Sequence, residues 1–163
     1  MRIQARHLKK FFRYQKRTGK IFWVRATSNR ARVGAEAGTL SQGYRVIGFK
    51  NSYYRGHDIA WALVTGKWPK RRLDHKDRCR SNNRWSNLRP ATKRQNAGNA
   101  TIAKQNTSGF KGVSWHATRR KWGAYISRYN RTIYLGLYKT PQEAHAAYIA
   151  AAKKHFGEFA RAS

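Results

Sequence analysis

Acidic residues are scarce: six Asp plus Glu stand against 36 Lys plus Arg, a formal charge of +30 on 163 residues. That excess is far beyond what solubility needs and attracts polyanions, with nucleic acid the leading partner. Cysteine is reduced to Cys79, which excludes an internal disulfide and any cysteine-based zinc finger or ribbon, so packing alone must hold the fold. No run of some ~18 apolar residues occurs, and the first residues lack the apolar stretch of a secretory signal. The expectation is a soluble protein that works inside a cell. A basic amphipathic helix suited to coating anionic lipid is also missing, so no membrane partner is expected. No repeat of fixed period exists, which excludes a solenoid or propeller. Charge by itself leaves DNA and structured RNA equally open.

What is present divides the chain into four parts. A helix is expected over residues 8–14, a strand over 21–24 after Gly19, and a basic loop over 27–36. Residues 44–49 and 52–54 read as a hairpin around Lys50 and Asn51, and residues 57–64 carry apolar side chains at helical spacing until Gly66 and Pro69 end them. His57 and Asp58 open that helix, where packing suits the histidine and a helix-start charge suits the aspartate. From 97 to 109 the sequence AGNATIAKQNTSG is small, polar and nearly uncharged, as in a connector between domains.

The segment LDHKDRCRSNNRWSNLRPATKRQN, residues 73–96, concentrates chemistry. Two of the six acids, Asp74 and Asp77, lie in this strongly cationic stretch, where a carboxylate weakens phosphate contact unless something recruits it; a metal ion is the obvious reason. Residues 73–75 and 85–89 can form two short strands joined by a polar loop, with Pro90 opening a helix toward Asn99. Asp74, His75 and Asn87 can then converge with Asn96 about two turns into the helix. Cys79 reads as incidental.

In its DH, NNR, SNLR and final N, with twelve positions from His75 to Asn87 and nine more to Asn96, this segment resembles the HNH endonucleases, phage-type members above all. The resemblance implies a hairpin and helix gripping one divalent cation against a scissile phosphate. His75 would be the general base, since an imidazole with an ordinary pKa of about 6.5 takes a proton from water at neutral pH. Asp74 and the amide oxygen of Asn96 would bind Mg²⁺ or Mn²⁺ through hard oxygen ligands. Asn87 would hold the His75 loop in place, and Arg89 would clamp phosphate. Asn96 stands where many members carry His, which argues against a zinc-preferring site.

Beyond the connector, residues 110–116, 121–129 and 132–138 read as three strands with turns at 117–120 and 130–131. A helix follows: Thr140 caps it, Pro141 is its first residue, Glu143 completes a capping box and Gly157 ends it. Ala144, Ala147, Tyr148 and Ala151 form its expected packing stripe. Through FKGVSW, KWGAYI, YLGLY and TPQEAHAAY this part resembles the DNA-binding domain of plant Apetala and ethylene-response factors. The resemblance implies a sheet laid in the DNA major groove, with Ser114, His116, Tyr125, Ser127, Thr132 and Tyr134 on the reading face. Val113, Ala124, Ile126, Ile133 and Leu135 would alternate with them toward the helix. Lys111 stands where the plant domains carry an arginine, and Ser114, Tyr125, Ser127 and Thr132 replace charged residues. With arginines sparse on that face, phosphate contacts from Arg119, Arg120, Lys121, Arg128 and Arg131 are expected to outweigh base readout. Trp115 and Trp122 suit packing at least as well as contact with bases.

Together these readings give an α+β chain: a ββα-metal nuclease unit followed by a three-stranded antiparallel sheet packed on one helix. The expected domains are an N-terminal DNA-binding extension (1–56), the nuclease core (57–100), a linker (101–109) and the sheet domain (110–163). The expected activity is metal-dependent hydrolysis of phosphodiester bonds in double-stranded DNA, homing-type and nicking one strand per active site. The chain would act as a monomer, or as two chains for double-strand cleavage, in a bacterial host's cytoplasm if phage-encoded. The rival from another class is a DNA-binding regulator with an inert HNH unit, and charge alone also admits structural RNA binding.

Overall fold

The computed structural model describes residues 3–28, 31–92, 95–96, 102, 105–128 and 131–160. Two units, Met1–Ala91 and Thr92–Ser163, each have their own fold.

Aromatic side chains spaced along the first half of the chain need a common interior, and they find it in the first unit. A 3-10 turn, Ala5–Lys10, buries Ala5 and Leu8. It leads into the hairpin of β1 (Phe12–Tyr14) and β2 (Ile21–Trp23), which pairs Phe12 with Trp23. A second sheet has the order β3 (Thr39–Ser41), β4 (Tyr44–Phe49), β5 (Ser52–Arg55), all antiparallel. Its turns are set by residues with positive φ, Gln42 and Gly43 after β3 and Lys50 and Asn51 after β4, the twist that two-residue hairpins favour. Helix α1 (Gly56–Thr65) follows directly, burying Ile59, Ala60, Ala62 and Leu63, and stops where Gly66 turns left-handed and returns its N–H to Ala62 O. Phe12, Trp23 and Phe49 meet at ring centroid distances of 4.6 to 6.2 Å. One core joins Leu8, Phe12, Ile21, Ile47, Ile59 and Leu88. The first 56 residues and the segment carrying the Asp-His motif therefore share an interior. A final hairpin pairs β6 (Arg72–His75) with β7 (Leu88–Ala91), with the 3-10 turn Trp85–Asn87 just before β7.

In the second unit β8 (Val113–His116), β9 (Lys121–Arg128) and β10 (Arg131–Tyr138) form an antiparallel sheet in the order β10-β9-β8. Helix α2 (Pro141–Phe156) carries the expected capping box between Thr140 and Glu143. A bulge at Leu135 separates two registers of the β9–β10 ladder. Val113, Ala124 and Ala144 are buried together, with Leu135 and Trp122 packed against them.

Several expectations change. The helix over 8–14 is a 3-10 turn followed by a strand, and β3, whose three residues are all exposed, gave no apolar alternation to find. Pro90 does not open a helix: it lies in β7 opposite Leu73. The helical residues Gln95 and Asn96 instead follow Thr92, whose Oγ1 accepts from Gln95 N while Gln95 Oε1 accepts from Thr92 N. This is a capping box at T-K-R-Q, and it outranks the proline signal. The buried stripe of α2 is Ala144, Tyr148, Ala152 and Phe156, a strict four-residue spacing that leaves Ala147 and Ala151 only partly covered. Most of the expected 97–109 connector and the Asn130 turn position fall outside the described residues.

Candidate active site

The β6–β7 register sets Asp74 opposite Arg89 and His75 opposite Leu88. Strand alternation separates the two motif neighbours: Asp74 goes to one face and His75 to the other. Asp74 Oδ2 accepts from Arg89 Nε at 3.0 Å, a pair largely withdrawn from water. Arg89, expected as a phosphate clamp, is buried and committed to this carboxylate. A buried guanidinium already paired with a carboxylate is poorly disposed to reach a phosphate on the surface.

The loop from 76 to 87 folds around two side chains. Asp77 accepts from Asn82 Nδ2 (2.6 Å), from Asn87 Nδ2 (2.9 Å) and from Cys79 N (2.8 Å). Burial pushes its carboxyl up, but these hydrogen bonds outweigh burial and hold it below the ordinary range. Asn87 accepts from Asp77 N at 3.0 Å, and its amide also donates to Asn82 O at 2.7 Å. Its backbone oxygen accepts from Lys76 N. The carboxamide of Asn87 thus ties the loop on both sides, and its contacts are with loop groups rather than with His75.

His75 is 5% exposed. Its Nε2 lies 3.1 Å from Asn83 Oδ1, and an amide oxygen can only accept, so Nε2 is the donor, and whenever the ring is neutral its lone pair belongs to Nδ1. Asn83, 2% exposed, is held from several directions. Its backbone oxygen accepts from Tyr14 Oη at 2.6 Å, and burial raises that phenol to about 12. Lys16 O accepts from Trp85 N at 3.0 Å. Gly19, at φ +78°, lies so close that a Cβ there would meet Arg84 N at 2.5 Å. The N-terminal hairpin therefore braces the loop that holds the histidine.

A second histidine completes the setting. His57, 6% exposed, places its ring 5.0 Å from that of His75, edge to face. Burial, then the charges of His75 and Arg55, lower His57 to about 3, so it is neutral at physiological pH. Tyr44 packs on both rings, at 5.7 Å from His57 and 6.3 Å from His75. Asn83, Tyr44 and His57 were not singled out as site residues from sequence. The NN doublet contains Asn83, but its reach to His75 depends on the loop.

Residues 54–98 match the HNH endonuclease family model. Over 105 residues the chain is 31% identical to protein 3.8 of Escherichia phage T7, an alignment covering 58% of this chain and 87% of that protein. The chain belongs to the family of phage T7 protein 3.8. No solved structure matches it. In this member of the protein 3.8 family the matched HNH segment takes in α1, β6, the Asp77 loop, β7 and the helical residues Gln95 and Asn96. Asn96 belongs to the second unit. Its backbone N–H donates to Thr92 O, and its Oδ1 is buried without a hydrogen-bond partner among the described residues.

In the second unit, register and alternation place Ser114, His116, Tyr125, Ser127, Thr132 and Tyr134 on one face of the sheet, opposite to Val113, Ala124, Ile126 and Ile133. Tyr125 and Tyr134 face one another at 5.7 Å, and Tyr134 is half exposed. Arg119, Arg120, Lys121 and Arg131 are exposed, whereas Lys111 and Arg128 are half-buried. Trp122 packs toward the core, with Trp115 against it at 5.1 Å.

Proposed function

We propose that this chain is a divalent-metal-dependent endonuclease that hydrolyses phosphodiester bonds in double-stranded DNA, nicking one strand per active site. The observation that carries the reading is His75, buried in the matched HNH segment with Nε2 engaged by Asn83 so that Nδ1 is the basic nitrogen. His75 Nδ1 takes a proton from water. The water oxygen forms a bond to phosphorus as the bond to the 3′-oxygen breaks, leaving a 5′-phosphate and, once protonated, a 3′-hydroxyl. Asn83 fixes the tautomer, while Asp77 and Asn87 keep the loop in one shape, so that the base is oriented before substrate arrives.

The candidate donor atoms are of the hard type, although Asp74 Oδ2 is already held by Arg89. Asp74 offers a carboxylate, and the buried Oδ1 of Asn96 lacks a hydrogen-bond partner among the described residues, as expected of an oxygen kept for a ligand. Following the resemblance to the HNH enzymes, each of these oxygens is a candidate ligand for Mg²⁺ or Mn²⁺, with water and phosphate oxygen supplying further ligands. Once bound, such an ion neutralises charge that builds on the phosphate and on the leaving oxygen.

The sheet face with Ser114, His116, Tyr125, Ser127, Thr132 and Tyr134 would approach the groove, and Lys111, Arg119, Arg120, Lys121, Arg128 and Arg131 would contact phosphates. Polar and aromatic side chains on one face, rimmed by cations, support this assignment. The same chain would then seek duplex DNA of modest sequence preference, as a phage-borne enzyme of homing type acting in a bacterial host.

A non-catalytic DNA-binding regulator is the second reading, favoured by the Asp74–Arg89 pair, which compensates the carboxylate within the protein. Metal titration separates the two. An endonuclease relaxes supercoiled plasmid only with Mg²⁺ or Mn²⁺ present, and Asp74→Ala abolishes this; a regulator binds the same plasmid and leaves it supercoiled at every metal concentration.

A further inference from the structure

Arg89 is turned inward, so the phosphate next to the site must be met by other cations. Arg55 and Arg80 converge on one ring: their guanidinium carbons lie 4.0 and 5.1 Å from the centroid of Tyr44. Arg55 ends β5 and caps α1. Arg80 comes from the loop between β6 and β7, rests its aliphatic stem near the Gly43 turn, and donates from Nη1 to Gln42 O at 3.4 Å. Two distant stretches of chain thus bring their charges to the phenol that packs on His57 and His75.

Two arginines of this unit with reduced exposure are matched with acids: Arg45 with Glu36 at 2.7 Å, and Arg89 with Asp74. Arg55 and Arg80 are exposed and form no ion pair among the described residues. Stacking on an aromatic face orients each guanidinium and reduces the entropy lost when it binds an anion. Two like charges mounted on one ring repel, a cost that a bound anion would offset. A planar, forked donor also matches the oxygens of a phosphodiester better than a lysine does.

We propose that Arg55 and Arg80, mounted on Tyr44, form a phosphodiester clamp that seats the nucleic-acid backbone beside His75. The assignment rests on the endonuclease reading for its substrate, but binding can be measured where no cutting occurs. Duplex DNA of about 20 base pairs, titrated with the full chain in EDTA across a salt series, gives the slope of log affinity against log salt. The double variant Arg55→Gln, Arg80→Gln is compared with Lys9→Gln, Lys10→Gln, an equally large loss of exposed charge at the 3-10 turn. With one phosphate contact per arginine, the clamp variant should lower the slope by about 1.8, and the control by clearly less. With Mg²⁺ added, the clamp variant should raise KM for plasmid nicking more than it lowers kcat. Tyr44→Leu should weaken binding in EDTA, and Tyr44→Phe should restore it, because the ring is what mounts the charges. Equal slopes for the clamp and control variants would overturn the clamp and leave the endonuclease reading intact. A wild type that binds with the expected slope but never cuts would overturn the endonuclease reading and leave the clamp standing.

Discussion

In the proposed mechanism Asn83 does more than its place in a turn suggests. It spends its amide oxygen on His75 Nε2, and with it decides which nitrogen is basic. Replacing it by leucine, of similar size, removes the acceptor and frees the ring to exchange tautomers; kcat for nicking should fall by about 10- to 100-fold with little change in KM, the range seen when partners that orient a histidine are removed. Asn83→Asp adds a negative charge that favours imidazolium, so the acid limb of the pH–rate profile should move to higher pH. Nitrogen-15 shifts of the His75 imidazole report the Nε2–H tautomer directly, and a wild-type spectrum dominated by Nδ1–H would contradict the assignment.

His57 makes a separate statement about stability. Held down to about 3 against an ordinary 6.5, mainly by burial, it is neutral in the folded chain at pH values where the unfolded chain protonates it. Its contribution is full above about pH 6.5 and is lost as the pH falls toward 3, by up to about 1.4 kcal/mol per unit. Thermal melts from pH 7 to pH 4 should show a falling Tm that His57→Phe flattens. Parallel curves for the two proteins would mean that His57 does not cause the acid loss.

At the scale of elements, the hairpin of β1 and β2 acts as a brace. Tyr14, Lys16 and Gly19 press on 83–85 from a segment more than sixty residues away. Gly19→Ala adds a methyl where backbone already stands, at a φ that alanine resists, so it should shift the loop, lower nicking and reduce Tm together. A variant that keeps full activity and stability would show that the brace is dispensable. This contact explains what the sequence could and could not disclose. The DH, NN and SNLR spacing was legible because it is local, as were the Lys50-Asn51 turn, α1 and the capping box of α2. Pro90 misled because its preference for a helix start is a weak one, and the Thr92–Gln95 box two residues later overrides it. Asp74 and Arg89 lie fifteen positions apart, and only the strand register turns them into a pair. The fold of residues 1–56 onto the motif segment depended on non-local packing of Phe12, Ile21, Ile47 and Leu88, for which hydrophobic period gives no address.

For the whole molecule, charge and fold divide the labour. With 36 basic against six acidic residues, long-range attraction to a polyanion follows from the net charge, and it supplies encounter rather than a choice of site. In the proposed reading, position would come from the few groups held in fixed geometry: His75 with Asn83, the Tyr44 ring with its two arginines, and the face of the second unit's sheet that carries Tyr125 and Tyr134. No helix among the described residues is long and apolar enough to cross a membrane. The measurement that tests the account most directly is relaxation of supercoiled plasmid by the full chain with Mg²⁺, comparing wild type with His75→Ala at matched DNA binding. The wild type should yield nicked circles and His75→Ala should lose at least about 100-fold in rate, the usual share of a general base. Undiminished nicking by His75→Ala would contradict the account.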